Sequence, residues 1–292
     1  MRSRSLPIGI ALLIALVGGL RYCGQRQRNP VTGEMQQVAL SPRQEIALGL
    51  HSAPLMIARH GGELRDGQVE PYVESVGQRL IAASKAAGGP YRFDFHVLSD
   101  ARTINAFALP GGQIFITRAL LLRMRSEAQL AGVLGHEIGH VIARHGAQHL
   151  AKQQLGQLLV TAVQIGSYDP RDPSRNRGAS VLAQAAHQMV GLKYGRDDEL
   201  EADRYGFRIM VAAGYDPRGI AELMQILDDA SAGGRPPEFL STHPDPGNRR
   251  QLLSRMIDAA FPPPASIPPG LRVGREEFTQ HVLRPAPSSA LH

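Results

Sequence analysis

His136, Glu137 and His140 are the residues whose types and spacing point most directly to chemistry. Residues four apart on a helix lie one turn apart on the same face, so two imidazoles at that spacing can reach one metal ion while the backbone stays regular. Histidine on zinc sits at about 2.0–2.1 Å. Glu137 lies about 100° around the helix from His136. It is close to the ligand face but too near the helix axis to be the natural third ligand. It reaches instead a water on the metal, whose pKa zinc lowers from about 15.7 to about 7, and takes the proton. The bare H-E-x-x-H pattern arises by chance in unrelated proteins. Its context here adds weight, because Leu134, Ile138, Val141 and Ile142 leave little wet surface around three polar groups that are costly to bury uncompensated.

Zinc with two histidines needs a third protein ligand and an open position for water. Downstream, Asp198-Glu199-Leu200-Glu201-Ala202-Asp203 opens a helix. Glu199 and Asp203 are four apart and share a face. Glu199 is the favoured third ligand, with Asp203 accepting the outward N–H of a ligating histidine and so fixing its tautomer. Glu201 lies about 200° from Glu199, too far round to share the same ion. Asp197 and Asp198 fit an acidic helix start that complements the macrodipole. His145 and His149 read as structural or solvated, not as ligands.

The elements that must position these groups follow from patterning. Ser126 with Gln129 is a capping-box signature, and Leu130, Leu134, Ile138 and Val141 recur at helical spacing behind it. Helices are also predicted over 43–59, 69–86, 119–123, 181–194, 197–213 and 220–227, the first opened by Ser41-Pro42. Tyr91 to Leu98 alternates like a strand. Asn105 to Leu109 and Gln113 to Thr117 flank Pro110-Gly111-Gly112 as a hairpin. A Pro/Arg-rich loop spans Gly166 to Gly178. The class is α+β, mainly α, with a small β-sheet. Asn105, Ala106, Phe107 and Ala108 fit an edge strand to which an extended peptide adds through main-chain hydrogen bonds.

Of 292 residues, 43% are hydrophobic and 20% charged, an ordinary globular balance. The net charge of +6 comes from scattered arginines, and with 5% aromatics and no Trp there is little to stack nucleic-acid bases, so no nucleic-acid partner is expected. The single cysteine, Cys23, allows neither a disulfide nor a thiolate cluster, so any metal falls to histidine and carboxylate ligands. Arg2 and Arg4 precede the apolar stretch Pro7 to Leu20, the layout of an export signal. That stretch as a helix covers only about 21 Å of a roughly 30 Å hydrocarbon core. Residues 1–24 are therefore expected to be a signal peptide or short membrane anchor, with cleavage near Gly18 and Gly19, retention, or lipidation of Cys23 as the modes. An extracytoplasmic location, such as a bacterial periplasm, follows. Residues 25–40 read as a linker, 41–261 as the main domain, and 262–292 as a Pro-rich, largely disordered tail.

The chain resembles the membrane-associated zinc metallopeptidases of the HtpX, BepA and CAAX-prenyl-protease type. Four features match in order: Ile104 to Ala108 before a Gly-Gly pair, His136 to His140, Glu199 to Arg204, and Thr242-His243-Pro244 with Arg249. The resemblance spans about Ser41 to Met256 and is nearest to the bacterial periplasmic and lipoprotein members. It implies a zincin-like (gluzincin) fold whose edge strand flanks the active-site helix, one zinc on His136, His140 and Glu199, and Glu137 as general base. It also implies a role near the metal for His243, as oxyanion donor or displaceable fourth ligand, and for Arg249 in orienting that loop or pairing with an acid. Zinc-dependent cleavage of unfolded or misassembled envelope proteins is the activity it implies. A chaperone-like binder of such chains is the alternative, against which an intact Glu137 counts.

Overall fold

The computed structural model describes residues 5–166, 194–231, 236–244, 248–262 and 270–284. The expected loop from Gly166 to Gly178 and helix from Val181 to Tyr194 fall almost wholly outside them. The chain divides into two compact units: Met1–Asn29, Gly33–Ser41 and Gly146–Leu192 form one, and Pro30–Thr32, Pro42–His145 and Lys193–His292 form the other.

In the first unit, helix α1 (Ser5–Gly24) outruns the apolar stretch that nucleates it, and at 1.5 Å per residue its 20 residues reach about 30 Å. Among the described residues no helix is long and apolar enough to cross a membrane. Leu12, Leu13, Leu16 and Leu20 are exposed. Gly18 lies against Leu158, where a Cβ would stand 3.4 Å from the leucine Cβ. The expected linker contains a hairpin, β1 (Arg26–Arg28) antiparallel to β2 (Met35–Gln37), with Gln27 opposite Gln36. Asn29 Nδ2 donates to Gln36 Oε1 at 3.1 Å, and Gly33 at φ +80° makes the turn. The short polar strands carry no apolar alternation, so periodicity alone does not reveal them.

The second unit contains α2 (Pro42–Arg59), α3 (Val69–Ala82), β3 (Asp94–Leu98), β4 (Ala106–Ala108), β5 (Gln113–Thr117), α4 (Arg118–Leu121) and α5 (Glu127–Ile142). After α6 (His145–Gly166), which mostly belongs to the first unit, come α7 (Arg196–Ala212), α8 (Arg218–Ser231), α9 (Glu238–Thr242), α10 (Arg249–Ala260) and the short α11 (Arg275–Phe278). The protein is mainly helical with small sheets. The three-stranded sheet has the order β3-β5-β4, with β5 parallel to β3 and antiparallel to β4 in the register Phe107↔Phe115. The predicted hairpin is β4–β5, and β4 is an edge.

Helix α5 starts where Ser126 Oγ accepts from the Gln129 N–H at 3.3 Å. Gln129 Oε1 reaches back to the Arg125 N–H, one residue short of the reciprocal capping-box bond. All sixteen residues of α5 are buried, against α3, β4, β5, α7 and α8. Its glycines set how closely it is approached. A Cβ on Gly139 would stand 2.8 Å from Ala202 O, and one on Gly206 3.0 Å from His136 N. Side chains on α5 and α7 are thereby brought to bonding range of one another.

The tail departs from the expected disorder over 270–284. The Glu127 and Ala128 N–H groups at the start of α5 donate to Gly274 O (3.1 Å) and Val273 O (3.0 Å), satisfying donors that a helix start leaves unpaired. Phe278 and Val282, one turn apart, sit in the hydrophobic core. Buried Glu127 accepts from Tyr72 (2.7 Å), Tyr215 (2.6 Å) and Arg272 (2.9 Å). The Pro-rich composition around this segment masks a short apolar pair and a single arginine that tie it down.

Candidate metal centre

The α5–α7 seam brings His136 and His140 against Glu199 and Asp203, and the turn after α9 adds His243. His140 Nε2 is 3.0 Å from His136 Nε2. Glu199 Oε2 is 3.4 Å from His136 Nε2, and Glu199 Oε1 is 3.4 Å from His140 Nε2. His243 Nδ1 lies 3.0 Å from Glu199 Oε1 and 3.4 Å from His136 Nε2. The four residues are buried and each offers one ligand atom within 4.8 Å of all the others. Two nitrogens held at zinc's bond length by a tetrahedral ion stand about 3.3 Å apart. The observed separations bracket that value, so the donor set fits one small cation.

Glu137 is fully buried, and among the described residues neither of its carboxylate oxygens has a hydrogen-bond partner; His243 Nε2 stands 3.6 Å from Oε1. A buried carboxylate without a partner is costly unless water or a cation completes it. The residues present therefore fit a metal with its water.

Behind the donors, His136 Nδ1 meets Asp203 Oδ1 at 2.9 Å. Fully buried Arg249 donates through Nε and Nη2 to the two Asp203 oxygens, both at 2.8 Å, and its Nη1 lies 3.0 Å from Glu199 Oε2. The arginine so pairs with both acids on the α7 face. Among the groups not singled out as ligands, His145 is fully buried with Nδ1 2.9 Å from His140 Nδ1, and its Nε2 is 3.2 Å from Glu201 Oε2. Tyr194, read above as a helix end, is non-helical and stacks on His140 with ring centroids 4.0 Å apart. Five-residue spacing from His140 to His145 is not a helical repeat, which is why pattern reading leaves His145 as structural or solvated without placing it against His140.

Electrostatics follow the packing. Burial disfavours the His136 cation, but Asp203 and Glu199 outweigh it and hold the imidazole up at about 9. For His140, burial dominates and pushes it well below its usual value. Burial also raises Glu137, with His243 and His136 opposing. Against burial, Arg249 and His136 pull Asp203 down to about 2, and His243, His136 and His140 pull Glu199 far below the carboxylate range.

Asn105, Ala106, Phe107 and Ala108 lie on or beside β4, which contacts α5. The bonds Thr117 N–H to Asn105 O and Leu109 N–H to Gln113 O set the antiparallel alternation. The main-chain groups of Ala106 and Ala108 therefore face away from β5. Asn105 is buried, donating through Nδ2 to Glu238 Oε1 at 3.2 Å, and Phe107 stacks on Phe115 at 4.8 Å.

A model of peptidase family M48 matches residues 67–257. The beta-barrel assembly-enhancing protease of Escherichia coli (strain K12) is 32% identical over 230 residues, covering 75% of this chain and 45% of the relative. The mitochondrial metalloendopeptidase OMA1 of Bos taurus is 34% identical over 196 residues, 65% of this chain and 37% of the relative. The chain thus spans about half the length of the curated relatives it matches, or less.

Proposed function

The chain belongs to peptidase family M48, and on that premise we propose that it is a zinc-dependent endopeptidase acting on unfolded or misassembled proteins of a cell envelope. The observation that carries the reading is the meeting of His136, His140 and Glu199 beside the buried carboxylate of Glu137, which accepts no hydrogen bond among the described residues. His136, His140 and Glu199 would hold one zinc, which when bound supplies an acidified water and polarises the scissile carbonyl.

The rest falls to the chain's own groups. Glu137, raised by burial, takes the water's proton and returns it to the leaving amine. Asp203 and Arg249 hold His136 and Glu199 in place. The outward main chain of Ala106 and Ala108 pairs with an extended substrate, which gives wide tolerance of sequence and suits unfolded chains. His243 sits among the donors, which favours its role as a fourth ligand of a latent form that must swing away to admit water. The peptidase domain begins near residue 41 and takes in the packed segment 270–284. Residues 1–24 direct the chain to an extracytoplasmic face and attach it to, or release it from, the membrane. The name of the Escherichia coli relative, an assembly-enhancing protease, supports a role in envelope protein quality control.

The experiment is digestion of an unfolded protein such as casein by wild type, wild type with a chelator, and Glu137→Gln. Cleavage should be abolished in the last two. Undiminished cleavage by Glu137→Gln would sink the mechanism, and binding of unfolded chains with no cleavage by any form would favour the chaperone-like alternative.

A further inference from the structure

His145 has no place in the ligand set, yet it is fully buried against His140. In an uninterrupted helix a residue five positions on lies about 140° round from His140. It faces His140 here because Arg144, between α5 and α6, is left-handed at φ +59°, the one non-glycine residue of positive φ among those described. Glycine or asparagine usually takes that place at a helix end. The arginine is held there by Glu45: Arg144 Nε donates to Glu45 Oε1 at 2.8 Å, Nη2 bonds the same oxygen, and Tyr91 Oη donates to Glu45 Oε2 at 3.1 Å. A buried ion pair on α2 thus stabilises the turn that swings His145 back over His140.

With a metal ion on His140 Nε2, the protons of the two rings have one consistent arrangement. Glu201 is an acceptor only, so the His145 nitrogen facing it, Nε2, carries a proton. His140, with its Nε2 lone pair given to the metal, would carry its proton on Nδ1 and donate it across 2.9 Å to a bare Nδ1 of His145. That leaves the lone pair of His140 on Nε2, the atom directed at His136 and Glu199. The reverse arrangement would set a bare nitrogen against a carboxylate and place a proton where a ligand lone pair is needed. Asp198, 3.9 Å from His145 Nε2, adds negative charge on the same side.

We propose that His145 is a positioning residue of the metal centre, oriented by Glu201 and by the turn at Arg144, which fixes the tautomer and ring angle of His140. It does for His140 what Asp203 does for His136, with a neutral imidazole interposed before the carboxylate. The proposal rests on the zinc reading above.

The test is metal affinity of the full chain, by chelator competition with zinc and by the visible spectrum of the cobalt(II) form. The forms compared are wild type, His145→Ala, His145→Gln, Glu201→Ala and the double alanine variant. Loss of such a hydrogen bond costs about 10–100-fold in metal affinity, and that is the loss expected for His145→Ala, with a changed cobalt spectrum. His145→Gln, which can accept from His140 and donate to Glu201, should regain most of it. Glu201→Ala, at a side chain 30% exposed, should weaken binding less, and should do nothing further once His145 is alanine. If His145→Ala does not fold, unaltered zinc affinity and cobalt spectrum in Glu201→Ala overturn the proposal. A folded His145→Ala with wild-type affinity overturns it alone, whereas a wild type that takes up no zinc overturns the metal reading and the relay with it.

Discussion

Replacing Gly139 by alanine adds one methyl group to the seam where α5 meets α7. The new Cβ would stand 2.8 Å from Ala202 O, 3.1 Å from Ala202 Cα and 3.2 Å from Tyr205 Cβ. Carbon contacts relax to about 3.5–4.0 Å, so the helices must part by roughly half an ångström. Overpacking of this kind costs about 1–3 kcal/mol. The helix preference of alanine over glycine offsets about 0.5–1 kcal/mol of it. The net destabilisation expected is then about 0–2.5 kcal/mol. The functional effect is larger, because His140 and Glu199 sit on opposite sides of this seam. A displacement of 1 Å costs about 100-fold in rate, so half that costs about 10-fold in kcat/KM. Thermal melts and casein turnover measure the two effects. Gly67→Ala, whose Cβ would meet nothing within 4 Å, is the control. If Gly139→Ala matches wild type in both assays, the close approach of α5 and α7 is not what sets the metal centre.

Other perturbations separate the remaining roles. Arg249→Met leaves Glu199 and Asp203 buried without their guanidinium, so the metal-free protein should lose about 3–5 kcal/mol in denaturant melts; a loss under 1 kcal/mol would contradict the pairing. Glu127 is buried, but Arg272, Tyr215 and Tyr72 hold its carboxyl below the usual 4.5. Its ionised form therefore stabilises the fold above about pH 4.5, and that contribution fades as the pH falls further. Glu127→Gln should flatten the acid side of the melting-temperature profile, whereas profiles parallel to wild type would refute the linkage. His243→Ala should raise basal cleavage of unfolded protein if the ring occupies the fourth position in a latent form. A fall of about 100-fold or more would point instead to an oxyanion donor.

Much of the site was legible because its spacing is helical. His136 and His140, and Glu199 and Asp203, are each four apart, so a period of one turn places each pair on a face before any coordinates exist. The β4–β5 hairpin was legible from Pro110-Gly111-Gly112 between apolar runs. His145 was not, because its contact with His140 depends on one left-handed residue held by Glu45, almost a hundred positions earlier in the chain. The packing of 270–284 was hidden for a related reason. Its anchors, Arg272 on Glu127 and Phe278 in the core, are long-range partners inside a composition that reads as loop. The hairpin over Arg26–Gln37 rests on polar side-chain and main-chain bonds, which hydrophobic patterning does not register.

The most direct measurement is the metal content of purified wild type, Glu137→Gln and Glu199→Ala, by elemental analysis with zinc affinity by competition. One zinc per chain is expected in the first two, and a lost or greatly weakened site in Glu199→Ala. Stoichiometric zinc at undiminished affinity in Glu199→Ala, or none in wild type, would contradict the convergence of the two helices on a single cation.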